Sequence, residues 1–130
     1  MNEPYGIGKT VDASFPDAVA RVTEALKTEG FGVLTEIDVA QALKEKLGKE
    51  IPPYTILGAC NPALASRALE AEPSIGLLLP CNVVVRETGS GRCVVEFMNP
   101  NAVLDLVQRP EISALAVEVR QRLDRVLNAL

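Results

Sequence analysis

Apolar positions along this chain recur with two periods. Recurrence every second residue marks a half-buried strand, and recurrence every third or fourth marks an amphipathic helix. Over residues 4–12, Tyr5, Ile7, Lys9 and Val11 alternate with Gly6, Gly8 and Thr10, which predicts a first strand. Phe15, Ala18, Val19, Val22, Ala25 and Leu26 then share one helical face. Ser14 is the expected N-cap of that helix with Asp17 as its acidic capping-box partner, and Gly30 is the expected stop. Phe31, Val33, Thr35 and Ile37 alternate with Gly32, Leu34 and Glu36, a second strand. Its second face is only partly polar, which is compatible with cover on both faces. Asp38, with Gln41 three positions on, starts a short helix with a stripe of Val39, Leu43 and Leu47, ended by Gly48. Residues 49–53, Lys-Glu-Ile-Pro-Pro, read as a stiff, exposed linker, because proline cannot extend a sheet ladder.

The second half opens on the run Tyr54 to Cys60, a third strand. Asn61 is a good N-cap, and Pro62 suits the first helical position, where no N–H is needed. Ala63, Leu64, Ala68 and Leu69 are expected to face the core. The most apolar stretch, Ile75 to Val85, is interrupted by Pro80, which marks an edge, a bulge or a break between two strands. Val83 to Arg86 and Cys93 to Met98 flank Gly89-Ser90-Gly91 and predict a β-hairpin. Asn99-Pro100 repeats the cap-and-start device ahead of a short helix carrying Val103, Leu104 and Val107. After Pro110 a long stripe runs through Ile112, Leu115, Ala116, Val119, Leu123, Val126, Leu127 and Leu130. The order β-α-β-α-β-α-β-β-α-α predicts an α+β fold with one mixed or mainly antiparallel sheet and helices packed against one face. The 130 residues suit a single domain, 1–130.

Composition narrows the function more than it names it. The chain is 48% hydrophobic and 23% charged, ordinary for a globular protein. Aromatic residues are 4%, tryptophan is absent and the net charge is −4, which together argue against a nucleic-acid partner. Lys44, Lys46 and Lys49 cluster, but Glu45 and Glu50 interleave with them, as on a solvated helix face. No apolar run approaches the roughly 20 residues of a membrane span, and the start Met-Asn-Glu-Pro lacks the parts of a signal peptide, so the expected location is cytoplasmic. Three cysteines, Cys60, Cys81 and Cys93, are an odd number for a disulfide framework. The chain has no histidine, which removes every His-based triad, general base and metal site. Gly6 and Gly8 are a fragment of a dinucleotide fingerprint, in a strand instead of a phosphate turn and with no third glycine.

The chemistry concentrates at residues 60–82. Cys60 is expected at the hand-over from strand to helix, where the positive helix end can favour a thiolate. Cys81-Asn82 repeats the Cys60-Asn61 dipeptide. Two readings follow. In the first, a small, partly apolar ligand lies between sheet and helices or at a dimer interface, with Asn61, Arg67 and Asn82 as polar contacts. In the second, Cys60 is a nucleophile or sulfur carrier and Cys81 a resolving thiol, or the two thiolates hold a soft metal. The second reading lacks a proton acceptor of the usual kind, and two cysteines 21 positions apart are a weak metal signal. Arg67 also reads as a surface residue or a partner for Glu70 or Glu72. Cys93, near the hairpin turn, reads as a small packed or half-exposed side chain. The pattern names no cofactor and leaves open whether the protein is an enzyme.

Three blocks carry a family resemblance. They are Gly30-Phe31-Gly32-Val33-Leu34-Thr35-Glu36-Ile37-Asp38; Ile56-Leu57-Gly58-Ala59-Cys60-Asn61-Pro62 with Leu64-Ala65, Arg67-Ala68-Leu69 and Glu72-Pro73; and Ile75-Gly76-Leu77-Leu78-Leu79-Pro80-Cys81-Asn82-Val83-Val84-Val85. The chain resembles the domain-of-unknown-function 302 family of small prokaryotic proteins over nearly its whole length. The resemblance implies an α+β domain that forms a homodimer. It implies no activity, because the family carries none in its name.

Overall fold

Cross-strand registers turn the alternation of the strands into rows. One row runs Ile7–Phe97–Val83–Leu57 across four strands, and all four side chains are buried. These strands belong to one antiparallel sheet, in a computed structural model that describes residues 2–130. The strands are β1 (Asn2–Glu3), β2 (Gly6–Val11), β3 (Gly32–Asp38), β4 (Tyr54–Cys60), β5 (Cys81–Gly89) and β6 (Arg92–Met98), in the spatial order β1-β2-β6-β5-β4-β3. The helices are α1 (Phe15–Thr28), α2 (Val39–Leu47), α3 (Pro62–Ala71), α4 (Pro100–Val103) and α5 (Pro110–Asn128). Short 3-10 segments fill Pro73–Leu78 and Leu104–Val107. The expected α+β order is therefore observed, with the two-residue β1 added in front.

The long amphipathic helices α1 and α5 close the core over the sheet. Val22 and Leu26 of α1 and Ile112, Leu123 and Val126 of α5 are fully buried in one cluster with the sheet row. Each such side chain contributes about 1.5–3 kcal/mol relative to exposure. Their ends are closed as the residue types require. Ser14 Oγ accepts from Asp17 N–H at 3.3 Å. At the other end of α1, Gly30 takes φ +84°, and Phe31 N–H reaches back to the Leu26 carbonyl at 3.0 Å, a Schellman closure. Lys9 points to the helix side of β2 and donates to the Leu127 and Leu130 carbonyls at 3.3 and 3.0 Å. A cation there meets the negative end of α5.

Several expectations are corrected by packing. The α2 stripe does not enter the core: no residue of α2 is buried, and Leu47 is 71% exposed. The helix follows β3 without a loop and packs against β4 from the margin of the sheet, which leaves Val39 and Leu43 half-buried and Leu47 in solvent. β3 is an edge strand with a register shift between Val33 and Thr35, and Leu34 of its second face and Ile37 of its first are 68% and 53% exposed. On α3, Leu64 and Ala68 are buried as expected, but Ala63 is exposed and Leu69 is 42% exposed. Residues 75–78 form a 3-10 turn, so Pro80 breaks the apolar stretch between that turn and β5. Cys93 is fully buried and donates its thiol to the Ala13 carbonyl at 3.5 Å. No helix among the described residues is long and apolar enough to cross a membrane.

Candidate functional site

The end of the sheet where β4 finishes and β5 begins is where the site residues gather. β4 and β5 are antiparallel neighbours with Ala59 opposite Cys81 and Gly58 opposite Asn82, so the two Cys-Asn dipeptides do lie on adjoining strands. Cys60 is the last residue of β4, Asn61 the N-cap of α3 and Pro62 its first residue. Asn61 is buried and committed on both sides. Its Oδ1 accepts from Leu64 N–H at 3.3 Å, and its Nδ2 donates to the Glu29 carbonyl at 3.3 Å. Arg122 Nη1 donates to the same carbonyl at 3.0 Å. The amide of Asn61 thus ties α3 to the end of α1, while Arg122 adds α5.

Between this sheet end, α3, the 3-10 turn and α5 lies a cavity of about 410 Å³. Phe31, Ala59, Leu64, Ala68 and Ile75 belong to both its walls and the hydrophobic core. Leu34 and Leu69 stand at its exposed margin. Cys60, Asn61 and Cys81 all line it, whereas Arg67 and Asn82 do not. Strand alternation explains Asn82: its neighbour Cys81 faces the core, so Asn82 lies on the opposite face and is exposed. Arg67 lies on the outer side of α3 and pairs with Glu118 of α5 at 3.7 Å. This overturns the expected Glu70 or Glu72 partner; Glu72 instead pairs with Arg109 at 3.2 Å. An ion pair as exposed as Arg67–Glu118 contributes little.

The electrostatics of the cavity are simple. Among the described residues no charged side chain lines it. The Cys81 thiol is pushed up to about 11 by burial and, secondarily, by Cys60. It is therefore a neutral S–H at physiological pH. Donors in the first turn of α3 are mostly used: Pro62 has no N–H, Leu64 N–H goes to Asn61 Oδ1 and Ala65 N–H to the Asn61 carbonyl. The positive helix end expected beside Cys60 is thus largely capped by the chain itself. No group of three or more Cys, Asp or Glu side chains is arranged to hold a metal ion among the described residues. A second cleft of about 380 Å³, lined by Asp38, Gln41, Lys44, Glu50 and Tyr54 among others, contains none of the sequence candidates.

The walls of the cavity come from the three blocks 30–38, 56–73 and 75–85, joined by Leu104, Leu115 and Val119 of the C-terminal helical region. The chain matches a family model described as "Domain of unknown function DUF302" over residues 7–130. It belongs to the DUF302 family. The DUF302 assignment is matched in three dimensions by a crystal structure of an uncharacterized conserved DUF302 protein from Bacillus stearothermophilus. The two are 30% identical with a TM-score of 0.88, covering 96% of this chain and 97% of that one. No curated protein matches the chain. Leu104, Leu115 and Val119 had read as plain core positions, because periodicity separates buried from exposed but cannot distinguish a core wall from a cavity wall.

Proposed function

We propose that this DUF302 protein is a cytoplasmic, dimeric binding module whose cavity takes a small, partly apolar ligand. The observation that carries the reading is the cavity itself: about 410 Å³, walled by apolar side chains from four parts of the chain. Sites for small molecules are of this size and composition. Native mass spectrometry of freshly purified protein, then denaturing mass spectrometry of the same sample, tests it. A non-covalent adduct lost on denaturation, and absent from an Ala65→Phe variant that fills the cavity, is the expected result. If wild type and the folded variant take up hydrophobic probes equally, the cavity is not the binding site.

The dimer is supported by the open edge of the sheet. β1 closes the other margin with two residues, whereas β3 presents seven, with neither proline nor lysine. Glu36, Asp38 and the register shift at Val33/Thr35 leave part of this edge free to pair with another strand. Ile37→Lys should convert a dimer to a monomer in size-exclusion chromatography with light scattering. A dimer unchanged by that substitution places the contact on another face.

The thiol reading is favoured by one observation, that Cys60 and Cys81 share the cavity wall. With the Cys81 thiol near 11, only about one molecule in 10⁴ carries that thiolate at neutral pH. Cys60 would then be the attacking sulfur. Alkylation at neutral pH that is fast in the native protein and abolished by Cys60→Ser supports this role. Alkylation of Cys60 only after unfolding rejects it.

A further inference from the structure

We infer that the part of the ligand held inside the cavity is uncharged: a hydrocarbon body with at most a weakly polar group, and neither a carboxylate, a phosphate nor an ammonium. The inference rests on the binding reading above and deepens it. Burying an ion without a counter-charge or a set of hydrogen bonds is costly enough that such groups are excluded or neutralised. An anion needs a cation or a set of convergent N–H groups; among the described residues no cationic side chain lines the cavity, and Asn61 supplies its one side-chain amide. Arg67, the arginine carried by α3, lies outside it and is paired with Glu118. Arg122 is turned to the Glu29 carbonyl and to Glu118, with which its Nη2 forms a 3.2 Å bond. The Asn61 amide is engaged with Leu64 and Glu29. A cation needs a carboxylate, and none lines the walls. What is left to meet a polar atom is the Thr35 side chain, the second Nδ2–H of Asn61 and the thiols of Cys60 and Cys81, and the Cys81 thiol is held neutral by its burial. Thiols are weak donors and acceptors, suited to an apolar neighbour or a single carbonyl or hydroxyl. The exposed margin at Leu34 and Leu69 continues the apolar wall outward, so a chain longer than the cavity meets more hydrocarbon surface as it leaves.

The absence of tryptophan makes the test direct, because an extrinsic fluorophore is read against a weak protein background. The neutral dye N-phenyl-1-naphthylamine is bound first. It is then displaced with 1-decanol, decanoate and decylammonium, three chains of equal length that differ in head-group charge, each below its micelle concentration. The expected result is displacement by 1-decanol at about tenfold lower concentration than by either ion. Ala65→Phe, with Ala65→Leu as the milder replacement, should abolish dye binding while far-UV circular dichroism stays native. If decanoate or decylammonium displaces as well as 1-decanol, and the filled variants do not bind, the cavity binds ligands but the exclusion of charge is refuted. If the dye binds the filled variants as well as wild type, the binding reading itself fails, and this inference with it.

Discussion

Raising the pH above the ordinary thiol range should destabilise the protein through Cys81. Its thiol is held at about 11 in the folded chain, against 9.0 for an unperturbed thiol, because it is buried at the sheet end beside Cys60. A group whose folded pKa lies above its unfolded one favours folding while it stays protonated. That contribution is complete below pH 9 and is lost as the pH rises through 11. Two pKa units correspond to about 3 kcal/mol in full, of which roughly half is lost by pH 10 and most by pH 11. Cys93, with its thiol pushed up by burial and by Glu87, contributes to the same pH dependence. The quantity to measure is therefore a difference. Urea unfolding of wild type and of Cys81→Ala, under reducing conditions, is followed from pH 8 to pH 11. Cys81→Ala lowers the baseline by removing packed atoms, but its curve should fall less steeply, and the two should converge by about 1 kcal/mol between pH 8 and pH 10. Parallel curves over the whole range would refute the reasoning, since the Cys81 thiol would then ionise alike in folded and unfolded chains.

Asn61→Ala should cost about 1–3 kcal/mol in urea unfolding, because it removes both the α3 cap and the bond to the Glu29 carbonyl. Asn61→Asp should recover only the cap. Gly8→Ala places a methyl 2.6 Å from the Val95 carbonyl oxygen and should cost about 1–3 kcal/mol, while Gly32→Ala meets nothing within 4 Å and should leave the thermal midpoint unchanged or slightly raised. Leu47→Ser on the exposed α2 stripe should change stability by no more than about 0.5 kcal/mol, against about 2–5 kcal/mol for Leu26→Ala in the core. A large loss from Leu47→Ser would show that the stripe is covered after all.

The helix boundaries were legible because they depend on neighbours a few residues apart. Ser14, Asp38, Asn61 and Asn99 all cap the helices that follow them, each through its own side chain. Gly30 and Gly48 end theirs with positive φ. Patterns of this range set the order of elements, the α+β class and the meeting of β4 with α3 at Cys60. They could not show which strand would be left at the margin of the sheet. That depends on strand order, a long-range property, and it is why Leu34, Ile37 and Leu47 are exposed despite apolar periods like those of core segments. The partner of Arg67 was hidden for the same reason: Glu118 lies 51 positions away, while Glu70 and Glu72 were near in sequence but not across the helix interface. The cavity is wholly a tertiary product. Apart from Cys60, Asn61 and Cys81, its walls are mostly residues that periodicity assigns to the core, and only the spacing between the sheet end, α3, the 3-10 turn and α5 decides that they do not close on one another. The sequence alone determined that no histidine would serve the site; the fold decided that Arg67 and Asn82 would stay outside it and that Asn61 would be spent on tying α3 to the end of α1.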